Sequence, residues 1–148
     1  MLAAALEGRS EHPLAKAIVD EWNDNPAYSD ARETNDISVT QFRAAPGHGL
    51  SGVVDGIVMV GGNREYISES ATITDEMDVQ ADMLAEQGKT PMFFAGKPES
   101  GNGKVLGIIA VADVVKEESR KAVEEMQKMG LSVVMLTGDH EKTAKAIQ

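Results

Sequence analysis

The chain has 148 residues, 42% of them hydrophobic, so it can bury a core and does not have the composition of a disordered chain. Its formal net charge of −10 argues against nucleic acids and anionic membrane surfaces as partners, because both bind clusters of Lys and Arg. The absence of cysteine excludes disulfides, thiolate catalysis and Cys-based metal sites, and it suits a reducing compartment.

The chain is predicted to begin with helix. Apolar residues at helical spacing predict a helix over residues 2–22, interrupted around residues 10–13. Ser10 is the expected N-cap of the second part, and Pro13 fits its first turn, where a missing N–H costs nothing. The polar residues 23–35 are predicted as a loop.

The next part of the chain predicts an antiparallel sheet with one long helix. Five strands are expected, at residues 37–42, 50–54, 57–60, 91–95 and 104–112. Asp55-Gly56 is a strong signal for a two-residue hairpin turn. The helix covers residues 75–87 and stops at Gly88, and residues 96–103 form a loop. The chain up to about Asp113 is therefore predicted as mixed α and antiparallel β.

The pattern changes after Asp113. A charged amphipathic helix, a continuous apolar strand and the start of another helix are predicted at residues 116–129, 131–136 and 141–147. Following the strand at 104–112, they have the alternating order of a parallel α/β sheet. They are too few to cover such a sheet on both faces, so residues 114–148 are interpreted as a fragment of a second domain.

The segment from Glu7 to Leu14 carries the first candidate binding residues. His12 lies at a helix N-terminus, where the positive potential keeps an imidazole neutral, and a neutral imidazole can stack on or hydrogen-bond to a purine. Glu7, about one turn away, could accept from an exocyclic amine. The alternative is a plain helix start with a cap residue and an early proline.

Two glycine-containing turns are the second and third candidates. Gly47 and Gly49, one residue apart, allow positive φ and close approach of a ligand to the backbone. Gly62 and Asn63 follow a strand, and the Asn63 amide could donate to or accept from a ribose or phosphate. An ordinary turn is the alternative at both places.

The fourth candidate follows the strand predicted at residues 131–136. Thr137, Gly138 and Asp139 would lie at the C-terminal end of that strand, where ligands gather in open parallel sheets. Thr and Asp there could contact a phosphate and the shell of a magnesium ion. The alternative is that Asp139 caps the following helix.

In this order, the features resemble the cytosolic part of heavy-metal-transporting P-type ATPases. The matching segments are Ser-Glu-His-Pro-Leu, Pro-Gly-His-Gly-Leu, Gly-Asn-Arg-Glu, Gly-Lys-Thr-Pro and the run from Gly107 to Asp139. That run is similar to the bacterial copper exporters, and the resemblance extends from Glu7 to Ile147. The His-Pro dipeptide is typical of the metal-transporting subgroup rather than of calcium or sodium pumps.

The resemblance implies two domains and one ATP site. Residues 1–113 would form the nucleotide-binding domain, a twisted antiparallel sheet flanked by helices. Residues 114–148 would be a fragment of the phosphorylation domain, which has a haloacid-dehalogenase-like α/β core. ATP, with Mg²⁺, would bind at Glu7, His12, Gly47, Gly49, Gly62 and Asn63. Thr137, Gly138 and Asp139 would belong to the phosphate-facing loop of the phosphorylation domain.

The chain departs from the family pattern at two points. His140 stands where the family usually carries Asn, and both the phosphorylated Asp-Lys-Thr-Gly-Thr segment and the later Gly-Asp-Gly loop are missing. The parent pump would therefore hydrolyse ATP, whereas this chain alone is expected to bind ATP without turnover.

The implied partners are ATP or ADP and the remaining phosphorylation, actuator and membrane domains of the same pump, at the cytosolic face of a bacterial plasma membrane. Self-association through residues 114–148 is also expected, since an unpaired apolar strand recruits a partner edge. Two alternatives stay open. A small haloacid-dehalogenase-type phosphatase or phosphotransferase would need an Asp-x-Asp that the chain lacks. In a non-catalytic interaction module, the glycines would be turns and His12 a cap.

Overall fold

A computed structural model of the protein describes residues 1–33, 37–97, 103–112 and 117–134. The helices are α1 (Leu2–Glu7), α2 (Pro13–Asp24), α3 (Ser29–Glu33), α4 (Arg64–Ser68), α5 (Asp75–Glu86) and α6 (Glu117–Lys128). The strands are β1 (Val39–Ala45), β2 (Gly49–Val54), β3 (Ile57–Gly62), β4 (Ala71–Thr72), β5 (Thr90–Lys97) and β6 (Gly103–Val111). The predicted turn at 137–139, His140 and the predicted helix at 141–147 lie outside the described residues.

The six strands form one sheet in the order β1-β2-β3-β5-β6-β4. All neighbours are antiparallel except β4 and β6, which pair in parallel. Phe93 and Phe94 are consecutive in β5 and point to opposite faces of the sheet. Phe93 packs in one core cluster with Ile67 of α4, and Phe94 packs in another with Ala4 of α1. Helices therefore flank the sheet on both faces, which confirms the predicted α+β fold.

The hairpin between β2 and β3 is the one predicted from Asp55-Gly56. Asp55 has φ 47° and Gly56 has φ 80°, the pair of positive values that a tight two-residue turn requires. The Asp55 carboxylate also accepts from the Ser38 N–H at 3.0 Å. This hydrogen bond links the turn to the segment before β1.

The predicted cap of α2 is wrong by two residues. His12 is the N-cap, and its Nδ1 accepts from the Leu14 N–H at 3.2 Å. Because Pro13 occupies the first helical position, the cap must be the residue directly before it. Ser10 instead supports the cap residue, since its hydroxyl oxygen accepts from the His12 N–H at 3.2 Å.

The segment predicted as a loop at residues 23–35 contains two short helical elements. Asn25 caps a 3₁₀ turn, Pro26–Tyr28, by accepting from the Ala27 N–H at 2.9 Å, and α3 follows. The Tyr28 ring stacks on Trp22 of α2 with ring centroids 5.1 Å apart. Local capping and this contact with α2 order residues that composition alone assigns to a loop.

The described residues after Asp113 contain the predicted helix but not the predicted strand. Helix α6 agrees with the helix predicted at 116–129, and Gly130 with φ 81° follows its end. Residues 131–134 have no strand structure, and Val134 is 82% exposed. A strand needs a hydrogen-bonded neighbour, and none of the described strands pairs with these residues. No described helix is long and apolar enough to cross a membrane.

Candidate functional site

A cavity of about 360 Å³ opens between the α1–α2 connection, the β1–β2 turn and the start of β5. Its wall includes all six residues that the resemblance assigns to the ATP site: Glu7, His12, Gly47, Gly49, Gly62 and Asn63. These residues come from three separate segments of the chain. The pairing of β1, β2 and β3 and the packing of α1 on that part of the sheet bring them together.

Glu7 is the buried polar group of this cavity. It is the last residue of α1 and only 1% exposed, and neither carboxylate oxygen has a hydrogen-bond partner among the described residues. Burial raises the pKa of the Glu7 carboxyl from an ordinary value of 4.5 to about 7. Near neutral pH the side chain is therefore available both as a hydrogen-bond acceptor and, when protonated, as a donor.

His12 holds the start of α2 and lines the cavity at the same time. A nitrogen that accepts a hydrogen bond carries no proton, so Nδ1, which accepts from Leu14, is unprotonated. The proton of the neutral ring is then on Nε2, which can donate to a ligand. The role of His12 as a cap residue is thus a fact of the structure, and it leaves one ring nitrogen for binding.

Gly47 and Gly49 are glycines for different reasons. Gly47 has φ 77°, and a Cβ built on it would meet no atom within 4 Å. The prediction of a positive φ at Gly49 is wrong, because Gly49 is the first residue of β2 and its φ is not positive. A Cβ at Gly49 would lie 2.6 Å from Cδ1 of Tyr66 and would also collide with the Gly61 carbonyl oxygen. Close packing within the protein, rather than backbone conformation, requires glycine there.

Gly62 lies directly opposite Gly49 in the β2–β3 pair. A Cβ at Gly62 would lie 2.8 Å from the Gly49 Cα and 3.0 Å from Cδ1 of Tyr66, and it would collide with the His48 carbonyl oxygen. The two glycines therefore let the strand ends and the Tyr66 ring approach one another beside the cavity. The sequence pattern contained no sign of this role for Tyr66.

Asn63 connects the β1–β2 turn to α4. Its side-chain oxygen accepts from the Tyr66 N–H at 2.9 Å, which makes it the N-cap of α4, and its amide nitrogen donates to the Gly47 carbonyl oxygen at 3.4 Å. Both ends of the exposed amide are thus used within the protein. A ribose or phosphate that contacts Asn63 has to share or replace these bonds.

The sequence analysis did not assign the remaining residues of the cavity wall to the site, although most of them lie in the motifs that carry the resemblance. They are Ser10, Leu14, Ala44, Ala45, Pro46, His48, Leu50, Thr90, Pro91 and Met92. The residues of β5 reach the site because β5 pairs with β3, a contact between distant segments. The Gly-Lys-Thr-Pro segment already carried part of this signal, since its Thr90 and Pro91 line the cavity. No Lys or Arg of the described chain lines it.

A family model described as hydrolase, haloacid dehalogenase-like hydrolase, matches residues 1–148. The chain belongs to this family. Among curated proteins, the probable copper-importing P-type ATPase A of Enterococcus hirae is 41% identical over 143 residues, which are 97% of this chain and 18% of that protein. The copper-exporting P-type ATPase B of Archaeoglobus fulgidus is 40% identical over 144 residues, which are 97% of this chain and 19% of that protein.

Among solved structures, a zinc-transporting PIB-type ATPase in the E2.Pi state matches 99% of this haloacid dehalogenase-like chain with a TM-score of 0.69 and 29% sequence identity. The match covers 21% of that structure's chain. The resemblance to heavy-metal P-type ATPases is confirmed by these relatives. The chain spans less than a fifth of the length of the two curated relatives.

Proposed function

We propose that this chain is an ATP-binding part of a copper-transporting P-type ATPase and that ATP occupies the cavity between α1, α2 and the sheet. The observation that carries the proposal is that six residues chosen from separate sequence motifs line one cavity. The copper-transporting names of the two curated relatives support copper as the transported metal. Residues 1–113 would be the nucleotide-binding domain and residues 114–148 a fragment of the phosphorylation domain.

The cavity is chemically suited to a purine. Its volume lies in the range of about 300 to 1,000 Å³ that is usual for small-molecule sites. Leu14, Leu50 and Met92 offer an apolar surface for the flat ring, and Glu7 and His12 offer hydrogen-bonding groups for its edge. The positive φ and open side of Gly47 make its turn suitable for close approach of the ribose and phosphates, with Asn63 beside it.

The phosphates have to be held without lysine or arginine from the cavity wall. The polar groups there are the backbone near Gly47, the imidazole of His48 and the Asn63 amide, which has to share or replace its bonds within the protein. We therefore expect affinity to come mainly from the base. ATP would bind with Mg²⁺ on its phosphates, and in the proposed pump its γ-phosphate would have to reach the phosphorylation domain.

Phosphoryl transfer needs a carboxylate nucleophile in line with the γ-phosphate. The Asp-Lys-Thr-Gly-Thr segment that carries it in the family is missing from this chain. In the proposed pump, this cavity presents the γ-phosphate to that Asp, and Thr137, Gly138 and Asp139 belong to the loop that faces the phosphate. The remaining phosphorylation, actuator and membrane domains complete the enzyme at the cytosolic face of the membrane.

The test is a titration of the ¹⁵N-labelled chain with Mg-ATP. We expect binding of roughly −4 to −7 kcal/mol, which is a Kd between about 1 mM and 10 µM. Amide shifts should concentrate at Glu7, His12, Gly49 and Asn63, whereas the distant Asp55-Gly56 turn serves as an internal control. Unchanged spectra at these four positions in millimolar ATP would refute the site. Hydrolysis of ATP or of p-nitrophenyl phosphate by the chain would favour the phosphatase alternative.

A further inference from the structure

We propose that Glu7 recognises adenine as a neutral carboxylic acid, donating its O–H to ring nitrogen N1 and accepting from the exocyclic amine through its carbonyl oxygen. This inference rests on the proposed ATP site. It assigns the proton on Glu7 a role in selecting adenine over guanine. It therefore concerns which nucleotide the site prefers and how that preference changes with pH.

The position of Glu7 favours the neutral form. Glu7 is 1% exposed and lines the cavity, and neither of its carboxylate oxygens has a hydrogen-bond partner among the described residues. An isolated buried carboxylate loses its hydration without compensation, so burial favours the protonated group. The raised pKa of Glu7, about 7, agrees with this reasoning.

The charged groups around Glu7 do not reverse this preference. The elements packed against α1 are α2, β1, β2 and β3. On the cavity wall, the only other titratable side chains in the described chain are His12, before α2, and His48, in the β1–β2 turn. The residues contributed there by β1, β2, β3 and β5 are uncharged. His12 accepts a hydrogen bond on Nδ1, which a doubly protonated ring cannot do.

Adenine and a carboxylic acid have complementary edges. The adenine edge has one acceptor, N1, beside one donor, the exocyclic amine, and a carboxylic acid offers one donor beside one acceptor. An ionised carboxylate offers two acceptors, so one oxygen would face the N1 lone pair. The guanine edge has two adjacent donors, N1–H and its exocyclic amine, and these suit the carboxylate instead. Protonation of Glu7 thus favours ATP, and ionisation favours GTP.

Only the proton on Glu7 has to be balanced, because binding makes and breaks no other covalent bond. Well below pH 7 the carboxyl already carries its proton, whereas well above pH 7 binding of ATP takes up one proton from solvent, which forms the O–H bond. With a pKa of about 7, roughly one molecule in 30 is protonated at pH 8.5. The affinity for ATP should therefore fall by as much as about 30-fold between pH 6 and pH 8.5, relative to a site that does not titrate.

The deciding variant is Glu7→Gln, because a glutamine amide keeps one donor and one acceptor at every pH. We expect this variant to bind ATP at pH 8.5 more tightly than the wild type, by roughly tenfold or more. Any other pH dependence of binding is common to both proteins, so the ratio of their Kd values isolates Glu7. If the variant binds ATP more weakly than the wild type at pH 8.5, Glu7 acts as a carboxylate and the inference is wrong.

A second measurement uses the wild-type chain and does not depend on the variant folding. At pH 6, 1-deaza-ATP lacks the N1 acceptor and should bind roughly tenfold more weakly than ATP. Equal binding of ATP and 1-deaza-ATP overturns the contact to N1 while leaving the ATP site in place. Absence of ATP binding at both pH 6 and pH 8.5 overturns the proposed site as well, so the two failures are distinguishable.

Discussion

The burial of Glu7 predicts that the free energy of unfolding depends on pH, even without a nucleotide. Its carboxyl has an ordinary pKa of 4.5 in the unfolded chain and a pKa of about 7 in the folded protein. Between these values the unfolded state loses the proton while the folded state keeps it, so the folded state is progressively disfavoured as pH rises. The full difference corresponds to about 3 kcal/mol above pH 7, since one pKa unit is worth 1.36 kcal/mol.

Glu7→Gln removes this dependence, because an amide does not titrate. We expect the variant to gain stability relative to the wild type between pH 4.5 and pH 8, by as much as about 3 kcal/mol. Urea unfolding followed by circular dichroism at several pH values measures the difference directly. Glu11→Gln is the matched control, because Glu11 is exposed and the substitution changes the net charge by the same amount.

The control separates burial from overall charge. With a formal net charge of −10, removing any carboxylate reduces repulsion in the folded state, and both variants share this gain. The reasoning fails if the two variants change stability in parallel across the pH range. It also fails if the wild type becomes more stable as pH rises from 5 to 8 relative to Glu7→Gln, because that result requires a lowered pKa for Glu7.

Three further predictions follow from the site and its surroundings. Gly49→Val should destabilise the chain by about 3 kcal/mol because its side chain collides with β3, whereas Gly47→Ala should cost about 1 kcal/mol, for its positive φ alone; urea unfolding compares them. His12→Gln should weaken ATP binding by about 1 to 2 kcal/mol and lose the helix cap, whereas His12→Asn should lose the same ligand contact and keep the cap. Calorimetry measures the binding and thermal unfolding measures the cap; unchanged affinity in both variants would make His12 purely structural. In sedimentation, the full chain should self-associate and a chain ending at Asp113 should be monomeric; two monomers would contradict a role for residues 114–148 in association.

The local elements could be predicted from the sequence because their causes lie within a few residues. A tight two-residue hairpin turn requires two positive φ values, and Asp55-Gly56 is a residue pair that adopts them readily, as it does here. Pro13 starts α2 for a similarly local reason, and the helices α5 and α6 follow from apolar spacing. The motifs that point to the family are equally local, so they identified the candidate binding residues before any contact between them was known.

The errors at the level of sequence have the same local origin. Ser10 is a good cap by residue type, but the position of the proline transfers the cap to His12. The strand expected at residues 131–136 fits its apolar composition, yet the described residues 131–134 have no neighbouring strand. Residue propensity indicates which structure a segment can form, but a strand forms only when a neighbouring strand makes hydrogen bonds to its backbone.

Only the tertiary structure decided the chemistry of the cavity. An acidic residue in an amphipathic segment is usually solvated, and Glu7 is buried because α1 packs against the sheet. Glycine is required at positions 49 and 62 because of the strand register and the Tyr66 ring. Met92 lines the cavity because β5 pairs with β3. Burial, register and steric contact arise between segments distant in the chain. Residue type alone therefore identified these side chains as candidates, whereas packing raised the pKa of Glu7 and determined the space available to a ligand.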